Sequence, residues 1–348
     1  MINSINEYFK IKYLDLRALM IAAFEKKQLS VSSDKVAFVM LAANYNNLGD
    51  IAITKAQIDF LRRVLPDEYE IVTVPVEDTF KVFSSMKKVV NSDSIITLIG
   101  GGNTGSLYDF VEWPRRFILK HFSKDRIISF PQSVCYEENA KGRTLKKEYI
   151  KLCRKCKQLT LVAREQQSFD MYKSMFGDAV ECILTPDIVF SLKYCKEHRR
   201  NGIGLVLRND FEKADVGDVS QIVLKYGRKH SMSVTDNDTC KVHVSDNGFG
   251  DLENYLDTLS SKELIVTDRL HGMIMSFITG TPCLVFNNNN NKIGSTYETW
   301  LKEQSFIRLI KYFKEEYIEN QMNVVLEKDS SGIEQAFSEL ANLIRRSI

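Results

Sequence analysis

The chain has 348 residues, 44% hydrophobic and 26% charged, with a formal net charge of +2. That length exceeds one ordinary core and implies two domains of roughly 150 residues each, and a near-neutral balance with no dense Lys/Arg cluster excludes a nucleic-acid footprint. No apolar run approaches the ~20 residues that span a bilayer, the first residues lack a signal-peptide cleavage pattern, and the odd, scattered set of cysteines points to reduced thiols and a cytoplasmic location.

In chain order, an amphipathic basic helix is expected over roughly residues 4–28, with packing on the body the stronger reading and a membrane-surface helix the alternative. Strand-forming runs follow at 35–41 (KVAFVML), 69–74, 94–99, 126–130, 159–163 and 180–184, separated by amphipathic segments such as 51–65 and 107–122. The pattern resumes at 202–207 (GIGLVL), 232–235, 263–267, 282–286 and 306–310, and a last helix with one apolar stripe packs back. Strands that are apolar throughout, alternating with helices, mean parallel sheets covered on both faces. The polar, basic stretch at 191–202 (SLKYCKEHRRNG) reads as the linker. The expected fold is α/β: two Rossmann-like doubly wound domains, 1–195 and 196–348, facing across a cleft with sites at the carboxyl ends of strands.

Several loops carry chemistry-bearing residues. GGGNTG (100–105) satisfies the dinucleotide glycine spacing after a strand and is expected to open a helix. The next strand, however, ends in SFPQSV without the ribose-binding carboxylate. What remains is a backbone able to approach an anion or sugar, or a tight turn. In NYNNLGD (44–50), Gly49 is expected at a turn and Asp50 either caps the next helix or accepts from sugar hydroxyls. Arg164 follows a strand and begins a helix whose first turn includes Glu165. A cation there opposes the helix dipole, so an anion-binding guanidinium is the stronger reading. VTDRLHG (266–272) repeats that arrangement, with Asp268 as the expected cap and Arg269 and His271 in the first turn. Its position suits an acid/base or polarising imidazole. FNNNNNKIGS (286–295) reads as a loop, either a flexible lid or a disordered tip, ending in Lys292 and Ser295 within reach of a phosphate. Cys153 and Cys156 form a lone C-x-x-C without a second ligand pair, read as ordinary helix residues.

Taken together, NLGDIAI, IGGGNTGSLYD, FPQSV, VAREQQSFD, TPDIVF, TDRLHGMIMSFITGTPCLVF and the Lys292-x-x-Ser295-x-YETWL tail resemble the polysaccharide pyruvyl transferase family, in its order, from about residue 44 to 301. The resemblance implies a GT-B-like pair of domains and a pyruvyl transferase that moves pyruvate from phosphoenolpyruvate to a sugar of an exopolysaccharide or cell-surface glycan precursor. The product is a ketal and phosphate is released. Donor binding is assigned to Arg164, Arg269, Leu270, Gly101, Gly102, Asn103, Lys292 and Ser295, acceptor binding to Asn47, Asp50 and Gln132, and catalysis to His271 and Arg269. Arg164 and Arg269 would clamp the donor's two anions while His271 acts as acid or base. No metal site is read and no cofactor is expected beyond phosphoenolpyruvate as co-substrate, with room for a loosely bound divalent cation. The acceptor is expected to be a lipid-linked oligosaccharide or polysaccharide precursor, met in the cytoplasm or at the inner membrane face. Two departures bear on which sugar is accepted: asparagines alone precede Lys292, and Ser106 stands where relatives tend to carry Asp. A GT-B glycosyltransferase using a nucleotide sugar, and a non-catalytic glycan- or anion-binding protein, are the alternative readings.

Overall fold

Val36–Ala42 is buried at every position. Such a run forms a strand because apolar side chains on both faces need cover on both sides, which helices flanking a parallel sheet supply. The structure is a computed structural model and describes residues 2–196, 198–209, 213, 217–240, 243–245, 247–325, 334–346 and 348. Its elements in order are α1 (Ile2–Phe24), β1 (Val36–Ala42), α2 (Leu48–Val64), β2 (Glu70–Pro75), α3 (Phe83–Val89), β3 (Ile95–Leu98), β4 (Gly101–Gly105), α4 (Asp109–His121), β5 (Arg126–Cys135), α5 (Ala140–Cys153), β6 (Gln158–Ala163), α6 (Gln166–Phe176) and β7 (Glu181–Leu184). Then follow β8 (Ile203–Val206), α7 (Val219–Lys229), β9 (Val234–Asp236), α8 (Gly248–Ser260), β10 (Leu264–Thr267), α9 (Leu270–Ile278), β11 (Cys283–Val285), α10 (Lys292–Thr296), β12 (Ile307–Leu309), α11 (Glu315–Val324) and α12 (Ser338–Arg346).

The chain divides into two compact units, the first comprising 1–44, 53–188 and 336–348 and the second 45–52 and 189–335. In the first unit the strand order is β2-β1-β3-β5-β6-β7, with β4 paired to β5. In the second it is β12-β11-β10-β8-β9. Every described pairing is parallel. Both sheets are therefore doubly wound and Rossmann-like. In each, the chain runs outward one way from the starting strand and then returns to build the other side. That creates a switch point between β1 and β3 in the first unit and between β8 and β10 in the second, where such sheets bind ligands.

The second unit's core joins both layers, with Ile203, Val223, Val266, Leu284, Phe286, Ile318 and Met322 all buried in one cluster. Each predicted strand is present, and most ends shift by only a residue or two. Two expectations are corrected. β5 runs on to Cys135 instead of stopping near residue 130, and the glycine-rich segment is itself a strand rather than the opening of a helix. Gly101 (φ 122°) and Gly105 (φ 136°) adopt backbone angles that side chains resist. A Cβ on Gly105 would lie 1.8 Å from the Cys135 carbonyl oxygen. These glycines let β4 lie flush against β5, and α4 begins only at Asp109.

Candidate functional site

The DRLHG segment leaves β10 at the second unit's switch point. Thr267 Oγ1 donates to the Val206 carbonyl at 2.8 Å and accepts from the Arg269 N–H at 3.0 Å, folding the chain back into α9. Gly272 fits under that hydroxyl, since a Cβ there would lie 2.3 Å from Thr267 Oγ1. Asp268 is not the cap that the sequence suggested. Its buried carboxylate accepts the Arg208 N–H at 2.7 Å, bonding the end of β10 to that of β8, and Arg269 takes the N-cap position. Burial raises the Asp268 carboxyl above its ordinary value, opposed by the Arg208 N–H and the Arg208 and Arg269 charges.

Arg269 lays its guanidinium on the Asp238 carboxylate, with Nη2 donating to Oδ2 at 3.0 Å and Nε paired to Oδ1. This two-pronged geometry fixes the plane of the guanidinium as well as its charge. Asp238 is buried in the turn after β9, where its Oδ1 also accepts the Cys240 N–H at 3.3 Å. Two residues past Arg269, the half-buried His271 ring lies against the start of α2, so close that a Cβ on Gly49 would sit 2.3 Å from Nδ1. Gly49 is thus helical rather than at a turn, and its missing side chain makes room for the imidazole.

Around it, Asn47 Oδ1 accepts the Gly49 N–H at 3.0 Å, and Asn47 Nδ2 donates to Asp50 Oδ2 at 2.8 Å. The Tyr45 hydroxyl donates to the same Asp50 oxygen at 3.1 Å. Asn47 does the capping, and Asp50 accepts from both the Asn47 and Tyr45 side chains. The second unit therefore gathers Asn47, Asp50, Arg269 and His271, with Leu270 buried as a core residue beneath them.

Lys292 and Ser295 lie in α10, and the asparagine run before it bonds to the start of that helix. Asn287 Oδ1 accepts the Gly294 N–H at 2.9 Å, and Asn288 and Asn290 accept those of Ile293 and Lys292 at 3.4 Å each. Asn287 and Asn288 also donate to Asn291 and Asn290 at 2.6 and 2.7 Å. The asparagine run forms a cage around the start of this short helix, satisfying donors that a helix leaves unpaired.

In the first unit, Arg164 is buried. Its Nε donates to Ser133 Oγ at 2.7 Å and its Nη1 to Asp187 Oδ2 at 2.6 Å, with Glu165 Oε2 at 3.6 Å. Glu165 is the N-cap of α6 rather than part of its first turn, and burial raises its carboxyl. Asn103 is engaged by Arg115, which also donates to Glu112 at 2.8 Å. Gln132 is fully buried, donating to the Ile99 carbonyl and accepting from Thr104 Oγ1 at 3.1 Å, so it braces β4. Gly101 and Gly102 lie in that strand beside it. Ser106, also buried, shares two hydrogen bonds with Glu137. Burial pushes the Cys153 thiol well up and that of Cys156 to about 11, which keeps both protonated. Among the described residues no group of three or more His, Cys, Asp or Glu is placed to hold a metal ion. Sequence reasoning missed Asp238 and Arg208; both follow strands at the carboxyl edge of the second sheet, which was the available signal.

The sequence profile of the polysaccharide pyruvyl transferase family matches residues 47–290, which takes in both the start of α2 and the DRLHG segment. General stress protein 30 of Bacillus subtilis is 32% identical over 309 residues, covering 87% of this chain and 89% of that protein. Pyruvyl transferase 1 of Schizosaccharomyces pombe is 29% identical over 279 residues, covering 74% and 68%. Among solved structures, the UDP-GlcNAc 2-epimerase of Methanocaldococcus jannaschii shares the fold, with a TM-score of 0.55 over 89% of this chain and 99% of that one at 9% identity.

Proposed function

This chain belongs to the polysaccharide pyruvyl transferase family and is a transferase of GT-B-like fold; from that premise we propose that it transfers pyruvate from phosphoenolpyruvate to a glycan precursor as a ketal. The reading rests chiefly on one observation: an arginine held in a carboxylate fork and, two residues on, a histidine whose ring lies against the start of α2 between Asn47 and Asp50.

The chemistry needs a proton delivered to the donor's methylene carbon, which leaves C2 electron-poor. A first sugar hydroxyl bonds to C2 and gives up its proton. The C2–O bond to phosphate then breaks, and a second hydroxyl closes the ketal. One hydroxyl proton balances the new methyl group, and the other leaves with phosphate. Arg269, oriented by Asp238, binds the donor's anion and meets charge growing on departing phosphate. His271 moves the proton at the methylene or at the attacking hydroxyl. Asp50 accepts from an acceptor hydroxyl, and Lys292 and Ser295 serve the phosphate. Arg164 is assigned to the donor as well, although its buried pairing gives it a folding role that must be measured separately. The acceptor is a lipid-linked oligosaccharide or polysaccharide precursor, and the reaction takes place in the cytoplasm or at the inner membrane face.

The test is to incubate purified protein with phosphoenolpyruvate and lipid-linked acceptors, scoring phosphate release and a pyruvate-sized mass gain together. Arg269→Lys keeps the charge but loses the fork, so donor affinity falls. His271→Ala lowers turnover about a hundredfold or more with donor binding kept. Full transfer by both variants, or activity lost only in step with folded protein, would sink the reading.

A further inference from the structure

Helix α1 has two faces of different character. Ile11, Ala18 and Ala22 are buried, and Ala18 and Ala22 pack with Phe80 and Phe117. On the opposite side Phe9, Tyr13, Leu16, Met20 and Phe24 are between 53% and 82% exposed. Their spacing of three and four residues puts all five on one stripe. An exposed apolar stripe of this length on a charged protein marks a contact surface.

The charges say what it contacts. Along α1 the charged residues are Glu7, which helical spacing puts on the packed side, and Lys10, Lys12, Asp15 and Arg17. The three cations are exposed, whereas Asp15 turns inward to Lys120 at 2.7 Å and Arg116 at 3.9 Å. Helical geometry places Lys10 and Arg17 on one flank of the stripe and Lys12 on the other. A cavity of about 300 Å³ opens beside it, reaching α4 and the end of α5, where Lys12, Arg116, Lys120, Lys151 and Lys155 outnumber Asp15 and Glu148. Two copies joined through this stripe would bring the same cations together along one seam. A surface that is apolar within and anionic outside matches both features.

We infer that α1 lies on an anionic lipid bilayer, with the Phe9–Phe24 stripe at the boundary of headgroups and acyl chains and the cationic cavity facing lipid phosphates. The helix rests on the membrane and does not cross it: among the described residues no helix is long and apolar enough to span a bilayer. The inference stands apart from the proposed reaction and is tested without it.

The experiment is sedimentation of the full chain with vesicles of phosphatidylcholine alone or mixed with phosphatidylglycerol. The wild type is expected to pellet with the mixed vesicles and to be released by salt. The triple variant Phe9→Ser, Met20→Ser, Phe24→Ser and the double variant Lys151→Gln, Lys155→Gln each bind at least tenfold more weakly. Both variants alter exposed side chains, and unchanged melting temperatures check that they fold. Equal binding to both vesicle types overturns the assignment of lipid charge, and unchanged binding by both variants overturns the assigned face. If the wild type ignores vesicles but self-associates through contacts the triple variant removes, the stripe is a subunit interface and the inference is wrong.

Discussion

Gly49→Ala separates packing against His271 from ordinary helix propensity. Gly49 lies in the first turn of α2, and its φ is not in the positive range. On propensity alone, alanine would stabilise the helix by up to about 1 kcal/mol. The new Cβ would meet His271 Nδ1 at 2.3 Å, Cγ at 2.9 Å and Asn47 Oδ1 at 3.2 Å. Overpacking of this kind costs about 1–3 kcal/mol unless the ring swings away. In the wild-type background the net effect should thus run from near zero to a loss of about 3 kcal/mol. In a His271→Ala background the obstacle is gone, and the same substitution should stabilise by the propensity term. The coupling between the sites is then about 1–3 kcal/mol, read from denaturant unfolding of the four proteins in the cycle. If the ring moves instead, stability is spared and pyruvyl transfer falls. Equal effects of Gly49→Ala in both backgrounds, with activity unchanged in the wild-type background, would refute the contact.

Arg164→Met leaves Asp187 buried without its partner and should cost about 3–5 kcal/mol in unfolding measurements. The double variant Arg164→Met, Asp187→Leu should recover much of that, and activity still missing from a refolded double variant would mark a donor role. For Asp268, burial raises the folded pKa above 3.8, so the native state binds more protons than the unfolded chain in the window above about pH 4. Its contribution is therefore most favourable below that window and is lost as pH rises through the raised pKa. Asp268→Asn, which can still accept the Arg208 N–H, should flatten that part of the stability–pH curve; an unaltered slope would contradict the assignment. Asn287→Ala should cost about 1 kcal/mol, as loss of a helix cap does, and should speed amide exchange at Gly294. Unchanged exchange would show that the asparagine cage contributes nothing.

Local chemistry made much of the molecule legible. Apolar runs such as 35–41 and 263–267 could bury both faces only as interior strands, and the helical periods between them required parallel connections. Arg269 and His271 stood out because a strand end carrying an arginine and a histidine has few structural explanations. Tertiary structure decided which residues these groups meet. No periodicity states that β8 lies beside β10, so the bond from the Arg208 N–H to Asp268 could not be read, and the cap was assigned to Asp268 instead. Arg164 at a helix start reads as an anion binder, and the fold supplies one anion from within the chain, Asp187, 23 residues away. Composition reports the polarity of the asparagine run, whereas the bonding of its side chains to three particular N–H groups is decided by how the chain folds back. Gly49 is the clearest case: its lack of a Cβ serves an imidazole more than two hundred residues away in sequence. Propensity and pattern act over a turn or a strand, so a sequence can announce a reactive side chain, but its neighbours are set by strand order and the close packing that follows.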